Sequence, residues 1–328
     1  MKQRIAIIGA GISGLTLAQN LREHCDVVVF EKARGVGGRM STRYADPFFF
    51  DHGTQFFTAR TKQFQAFIAP LIEQEVIAPW QGKVITFQDD GNIKDRLWFE
   101  PHYVATPHMN SLCKYLANAI EIRLSTEVAP LLEKQHDGWH LSSKEGEALG
   151  AFDWVISTAP FEQTLKLFDV ALPDSSPLQA APMQGCYTLM IGFNAPWNKP
   201  WIAAKVHDRP IEWIAINSTK PARNKNVTAI IAHSSNDWAD AHIDDDMQLA
   251  QNYLMAQFEE ITGIDCQKAD YLSTHRWKYA LVKEGRESGF YLNDQSGVAA
   301  TGDWLSHSRI EDVWLGALKL ANEIKNKL

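Results

Sequence analysis

The stretch RIAIIGAGISGLTLAQNL, Arg4 to Leu21, constrains this chain more than any other part of it. A short apolar run, Ile5 to Ile8, leads into Gly9-Ala10-Gly11-Ile12-Ser13-Gly14, after which Leu15, Leu17, Ala18 and Leu21 recur as on a helix packed against a sheet. The run DVVVF, Asp26 to Phe30, follows and ends in Glu31. Strand, G-x-G-x-x-G turn, helix, strand and acid in this order predict a dinucleotide-binding βαβ unit of Rossmann type. Gly9 permits the tight turn, Gly11 lets the backbone approach a pyrophosphate, and Gly14 allows close helix packing. Amides at the helix start, among them Ile12 and Ser13, then face the diphosphate, where the helix dipole also favours negative charge. Glu31 stands 17 residues beyond Gly14 (31 − 14), near the ~20 expected of an acid that bonds an adenosine ribose. Its carboxylate would repel a ribose 2′-phosphate, so the dinucleotide is FAD or NAD rather than NADP. Lys32 follows beside it.

A second glycine loop separates those two. EKARGVGGRMST places Gly37-Gly38-Arg39 a few positions after the acid and ends in Met40-Ser41-Thr42. An NAD dehydrogenase has no obvious need for another close-approach loop there. FAD does, because its diphosphate and ribityl chain need a second backbone surface and a cation. The segment resembles the G-G-R-x-x-[ST] element of the FAD-dependent amine oxidase superfamily, whose arginine, matched by Arg39, sits against the diphosphate region. Gly38 and Met40 would join it. Within that superfamily the chain resembles the renalase-like family and its bacterial flavin oxidases. The resemblance rests on Ala33-Arg34-Gly35 before the G-G-R, on Asp51-His52-Gly53-Thr54-Gln55-Phe56-Phe57, on Tyr103, Val104, Pro107, Met109 and Leu112, and on HRWKYA, His275 to Ala280. His102, Ala105, His108 and Lys278 depart from the family's pattern.

The C-terminal part carries what resembles the superfamily's second FAD signature. A strand, Val298 to Thr301, ends in Gly302-Asp303, and a helix is expected from near Glu311, with Val313, Leu315, Ala317, Leu318 and Leu320 at helical spacing. Asp303 can bond the ribityl or diphosphate side. A helix start can favour negative charge building at the reduced flavin ring. Arg309, Ile310 and Glu311 correspond to an R-[IV]-E-G turn in which Asp312 replaces the glycine. No cysteine precedes this helix in the manner of covalent flavoproteins, so FAD is expected to be held non-covalently. Val128, after IRLSTE, is either a backbone contact of the adenine or a plain core valine.

Length and charge set the remaining bounds. The 328 residues suggest about two domains. A net charge of −7 without a basic block gives no nucleic-acid footprint. Cys25, Cys113, Cys186 and Cys266 form no C-x-x-C pair, which speaks against a metal cluster and a disulfide framework. No apolar run approaches the ~18 residues that a membrane span needs. The start is expected to belong to a mature, cytoplasmic protein, with no membrane partner. The expected fold is α/β, a Rossmann-like FAD-binding domain (1–60, 103–160 and 272–328) with an inserted α+β substrate-binding domain on a mixed β-sheet (61–102 and 161–271). In the second block a helix is expected at Asp246 to Ile261, capped by Asp244 or Asp245, with Met247, Leu249, Ala250, Tyr253, Leu254 and Phe258 as its apolar face. The oligomeric state stays open.

The renalase resemblance implies an oxidase that takes hydride from isomeric dihydro-NAD(P) onto flavin N5 and passes the electrons to O2, giving β-NAD(P)+ and H2O2. A dihydropyridine donor needs no proton removed first; it needs a flat slot and polar anchors. Candidates for that slot are Gln55, Phe56, Tyr103, His233, His275, Trp277 and Tyr279. Each aromatic could equally be core, and each histidine a satisfied structural group. Asp51 and His52 read as a structural turn. Two other functions stay open: a flavin-dependent amine oxidase or desaturase, for which Lys278 is the tempting active-site lysine, and an FAD-loaded binding or regulatory protein without turnover.

Overall fold

The structure, a computed structural model, describes residues 2–88, 91–172 and 181–328. The chain divides into two compact units: Met1–Arg39, Cys113–Met183 and Leu281–Leu328 form one, Met40–Leu112 and Gln184–Ala280 the other.

The first unit is built on a six-stranded sheet in the order Phe290–Asn293, Val298–Thr301, Trp154–Ser157, Arg4–Ile8, Asp26–Phe30, Glu121–Arg123. All neighbours run parallel except the first pair. Arg4–Ile8 sits inside the sheet, and its Ile5, Ala6 and Ile7 are fully buried, as a strand covered on both faces requires. The helix Ile12–Leu21 starts directly at the first glycine turn and packs against the terminal helix Ile310–Lys325. That terminal helix buries Val313, Trp314, Ala317, Leu320, Ala321 and Ile324. Phe30, Phe152, Phe161, Phe168 and Trp304 belong to the unit's main core.

The second unit holds a seven-stranded sheet in the order Tyr271–Val282, Met183–Phe193, Thr228–Ser234, Ile211–Ile216, Ala203–Val206, Val84–Phe87, Ile93–Arg96. Period-two alternation gives its two faces different jobs. Tyr187, Leu189, Ile191, Ile214, Ile216, Ile230 and Ala232 share a core with Ala239, Ala250, Leu254 and Phe258 of the helices Asn236–Ala241 and Met247–Thr262. The opposite face carries Thr188, His233 and Trp213, which are direct register partners across three strands. The helix begins at Met247, and its cap is Asp246, whose side chain accepts from the amides of Gln248 and Leu249. Leu249 (67% exposed) and Tyr253 (45%) lie outside its buried face.

The compact units divide the chain differently from the sequence-based boundaries. Residues 40–60 belong to the second unit, because the hairpin Arg43–Ala45/Phe48–Phe50 lies on its sheet. There the Phe48 ring occupies the space a Cβ would take at Gly192, 2.9 Å from that position. Residues 161–172 belong to the first unit, because Phe161, Leu167 and Phe168 complete its core. Among the described residues no helix is long and apolar enough to cross a membrane, and no group of His, Cys, Asp and Glu could hold a metal ion.

Candidate functional site

In the first unit two glycine loops meet backbone to backbone. Gly9 has φ +110°, and a Cβ there would lie 2.6 Å from Thr158 Oγ1. A Cβ on Gly14 would lie 2.0 Å from the Gly9 carbonyl oxygen, so helix and strand can pack this closely only around glycine. The second loop is pinned to the first by Gly37 N–H donating to the Ala10 carbonyl at 2.9 Å. Gly38, at φ +53°, would carry a Cβ 3.4 Å from Gly11 Cα, whereas a Cβ on Gly11 would meet nothing within 4 Å. One bare backbone therefore backs another, and the Gly11 face stays open. The helix Ile12–Leu21 has no side-chain cap and no acid in its first turn, and Ser13 Oγ is buried without a hydrogen-bond partner among the described residues. Uncapped amides, an orphaned hydroxyl and an uncrowded glycine fit the diphosphate of a dinucleotide.

Glu31, 8% exposed, is engaged by the backbone of its own unit. Its Oε2 accepts from Ala10 N–H and its Oε1 from Ala33 N–H, both at 2.8 Å, so the carboxylate ties the first glycine loop to the start of the second. A carboxylate has about four acceptor positions, which leaves room for a ribose hydroxyl. Arg39 and Asp303 are paired with each other: the guanidinium donates through both terminal nitrogens, at 2.6 and 2.8 Å, to the two carboxylate oxygens. Ser308 Oγ adds a third donor at 3.2 Å. Asp303 follows Gly302, whose backbone is extended. The Arg309 side chain forks onto Asp312 at 2.6 and 2.8 Å, so this arginine holds its own helix start. Ile310 opens that helix, and Glu311 is buried in its first turn. Lys32 is exposed and donates to Gln163 Oε1, Met40 is fully buried, and Val128 is a core residue bridged to Ser143.

The second unit is organised around Asp51, which is completely buried. Its Oδ1 accepts from Thr42 Oγ1 (2.8 Å) and Met109 N–H (2.9 Å), its Oδ2 from Arg223 (2.7 Å) and the Lys220 ammonium (3.2 Å). Burial alone would raise this carboxyl, but Lys220 and Arg223 hold it well below the usual carboxylate range. The structural-turn reading of Asp51 is the geometry seen. Lys220 is also fully buried, under the Trp80 ring, and donates to Gln55 Oε1 at 3.2 Å. Burial lowers its pKa to about 8, against the opposing pull of Asp51. Gln55 spends its amide N–H groups on the Asp51 and Gly53 carbonyls, and its Nε2 lies 3.5 Å from His233 Nε2.

The His52 carbonyl joins this loop to the sheet. It accepts from Thr188 Oγ1 at 2.9 Å and Trp277 Nε1 at 3.0 Å, and lies 3.3 Å from His233 Nε2. The His52 ring stacks on Trp277 and meets His275 edge-on. Burial lowers His52 to about 3, helped by His275 and Arg43. It lowers His233 to about 4, and His275 to about 4 with help from Arg43. All three imidazoles are therefore neutral at pH 7, able to orient a ligand without adding charge.

Of the seven candidates, His233 and Trp277 reach the His52 carbonyl, Gln55 lies against His233, and His275 meets the His52 and Trp277 rings. Phe56 lies apart, ringed by Trp80, Trp98, His102 and Trp213. Tyr103 packs on Phe57, and Tyr279 is half-buried farther along the Tyr271–Val282 strand. Lys278 is not a buried lysine: its side chain is 52% exposed and pairs with Asp244 at 3.3 Å. The buried one, Lys220, was missed because STKPARNKN reads as a solvated polar loop. Nothing local in it signals that Asp51, 169 residues earlier, is waiting for a cation.

A family profile described as an NAD(P)-binding Rossmann-like domain matches residues 7–71. Among solved structures, a protein from Exiguobacterium sp. 255-15 assigned as a protoporphyrinogen oxidase superposes with a TM-score of 0.81 at 14% identity, covering 100% of both chains. A variant from a redesign of cofactor binding in putrescine oxidase gives 0.77 at 13%, also over 100% of both. An oxidoreductase from Methanosarcina mazei gives 0.73 at 13%, over 97% of this chain and 100% of that one. At these identities the likeness is one of fold: a Rossmann-like dinucleotide unit and a large mixed sheet, arranged along the chain as in these oxidoreductases.

Proposed function

We propose that this protein is an FAD-dependent oxidase of renalase type, converting isomeric dihydro-NAD(P) and O2 to β-NAD(P)+ and H2O2. The observation that carries the flavin part is the meeting of two glycine loops at Gly11 and Gly38 beside the Arg39–Asp303 pair. A single diphosphate-binding turn would not need the second loop. FAD, bound non-covalently, would supply the hydride acceptor and the route of the electrons to oxygen. The residues of the chain supply orientation: Gly11, Ser13 and the first-turn amides for the diphosphate, Glu31 for the adenosine ribose, Arg39 for the phosphate charge. In the second unit, the uncharged His52, His233 and His275 with Trp277 and Gln55 offer flat surfaces and fixed polar groups. That set suits a donor from which hydride leaves without prior deprotonation.

Lys220 favours a second reading. A buried amine titrating near pH 8 is the kind of base that amine oxidation asks for, and putrescine oxidase is among the structures with this fold. Anaerobic mixing decides between the two. Flavin bleaching by isomerised NADH but not by an amine panel, in wild type and in Lys220→Met alike, supports the first. Bleaching by an amine, lost in Lys220→Met, replaces it with the second. A protein that takes up no FAD sinks both.

A further inference from the structure

The ring cluster around Phe56 is not used by any role assigned so far. Phe56 lies 4.4 Å from His102, 5.7 Å from Trp98 and 5.7 Å from Trp213, centroid to centroid. Trp98 stacks on His102 at 3.8 Å. Phe56, Trp98, His102 and Trp213 are only half-buried, while Trp80 beneath them is sealed. The Trp213 indole nitrogen is buried and, among the described residues, has no acceptor. An indole N–H can only donate, and a buried donor left unpaired costs about 1–3 kcal/mol. A buried indole N–H usually has a hydrogen-bond partner, so this one marks a place for an acceptor. Beside these rings stand two guanidiniums, Arg60 and Arg96, both close enough to His102 to act against its protonation after burial has lowered its pKa. Arg60 is itself engaged with Glu100; Arg96 lies exposed on the edge strand.

We infer that this cluster is a subsite for the adenosine phosphate half of the substrate, the base stacking over the half-buried rings of Phe56 and Trp98 and accepting the Trp213 indole hydrogen edge-on through a ring nitrogen. Adenine is a flat acceptor-bearing ring, and the phosphate attached to its ribose suits the exposed Arg96 guanidinium beside the rings. Sheet geometry sets the cluster apart from the histidines. Trp213 neighbours His233 in register, and the strand of His275 and Trp277 lies two places beyond that of His233. Three strand spacings, ~14 Å, therefore separate the two ends of the row, a span suited to a dinucleotide rather than a mononucleotide. The inference rests on the dihydronicotinamide reading for the identity of the other half.

Calorimetric titration of the FAD-loaded protein with AMP and, separately, with nicotinamide mononucleotide tests it. AMP is expected to bind, and Trp213→Phe, which keeps an aromatic ring and removes the N–H donor, to weaken that binding about tenfold. Trp98→Leu should weaken it similarly by removing a stacking face, which guards against misfolding of either single variant. Nicotinamide mononucleotide binding should be unchanged in both. With an isomeric dihydro-NAD, Trp213→Phe should raise KM and leave kcat in place. Absence of AMP binding to the wild type, or equal AMP binding in wild type and both variants, overturns the inference even if the oxidase activity is found. Conversely, AMP binding that both variants lose upholds the subsite even where no dihydronicotinamide is oxidised, and then only the reading of the reaction falls.

Discussion

The glycine loops of the first unit and the Asp51 loop of the second both handle charge, in opposite ways. Around Gly11 the chain withholds side chains: the helix start is uncapped and Ser13 Oγ has no partner among the described residues. Around Asp51 it supplies everything, with four donors on one carboxylate and two of them cationic. The lesson is that an unfinished hydrogen-bond inventory marks where a ligand belongs, and a finished one marks what holds the fold. An aspartate in a conspicuous motif is here the second kind.

The largest effect should come from Asp51→Asn. It leaves Lys220 and Arg223 buried without their carboxylate, and a loss of about 3–5 kcal/mol is expected, read as a shift of the urea midpoint. A variant as stable as wild type would show that the cations are neutralised elsewhere and would break the contrast. Gly14→Ala comes next. Its methyl would strike the Gly9 carbonyl, so about 2–3 kcal/mol of stability should go, together with FAD retention on gel filtration.

Acid should dissect the second unit in two stages. His52, His233 and His275 have folded pKa values of about 3, 4 and 4, below the ~6.5 of an unfolded histidine. The unfolded chain thus binds more protons between these values, so stability is full above pH 6.5 and falls as the pH drops towards 4. A decline on the order of 2 kcal/mol for each of these histidines between pH 7 and 5 is expected in denaturant titrations. The Asp51 contribution is fully present above ~4 and is lost only below it, because its folded pKa is depressed. A flat profile from pH 7 to 5 would mean that the imidazoles are charged or solvent-reached. The smallest effect is expected from Glu31→Gln. The amide keeps one of the two backbone donors and loses the other, costing about 1 kcal/mol along with weaker FAD retention. Retention of full flavin after dialysis would confine Glu31 to its structural tie.

The nucleotide unit was legible because its signals are local. Gly9, Gly11 and Gly14 sit within one turn, strand and helix periods flank them, and the structure places Arg4–Ile8, Ile12–Leu21 and Asp26–Phe30 accordingly. The same holds for Val298–Thr301 and the terminal helix. Boundaries in the second unit were less legible. Whether Phe48–Phe50 belongs to one core or the other depends on Gly192, more than a hundred residues away, leaving space for the Phe48 ring. The HRWKYA motif makes Lys278 a tempting candidate, yet its side chain is half-exposed, whereas Lys220 is buried for a reason of pairing rather than of pattern.

By itself, then, the sequence determined the backbone chemistry of the first unit, since a glycine's freedom and a helix's uncapped amides are properties of a few consecutive residues. Only the tertiary structure decided which charges are buried, which histidines stay neutral and which rings gather. Those depend on partners far apart in the chain, brought within hydrogen-bonding distance by the loops and strands of the second unit.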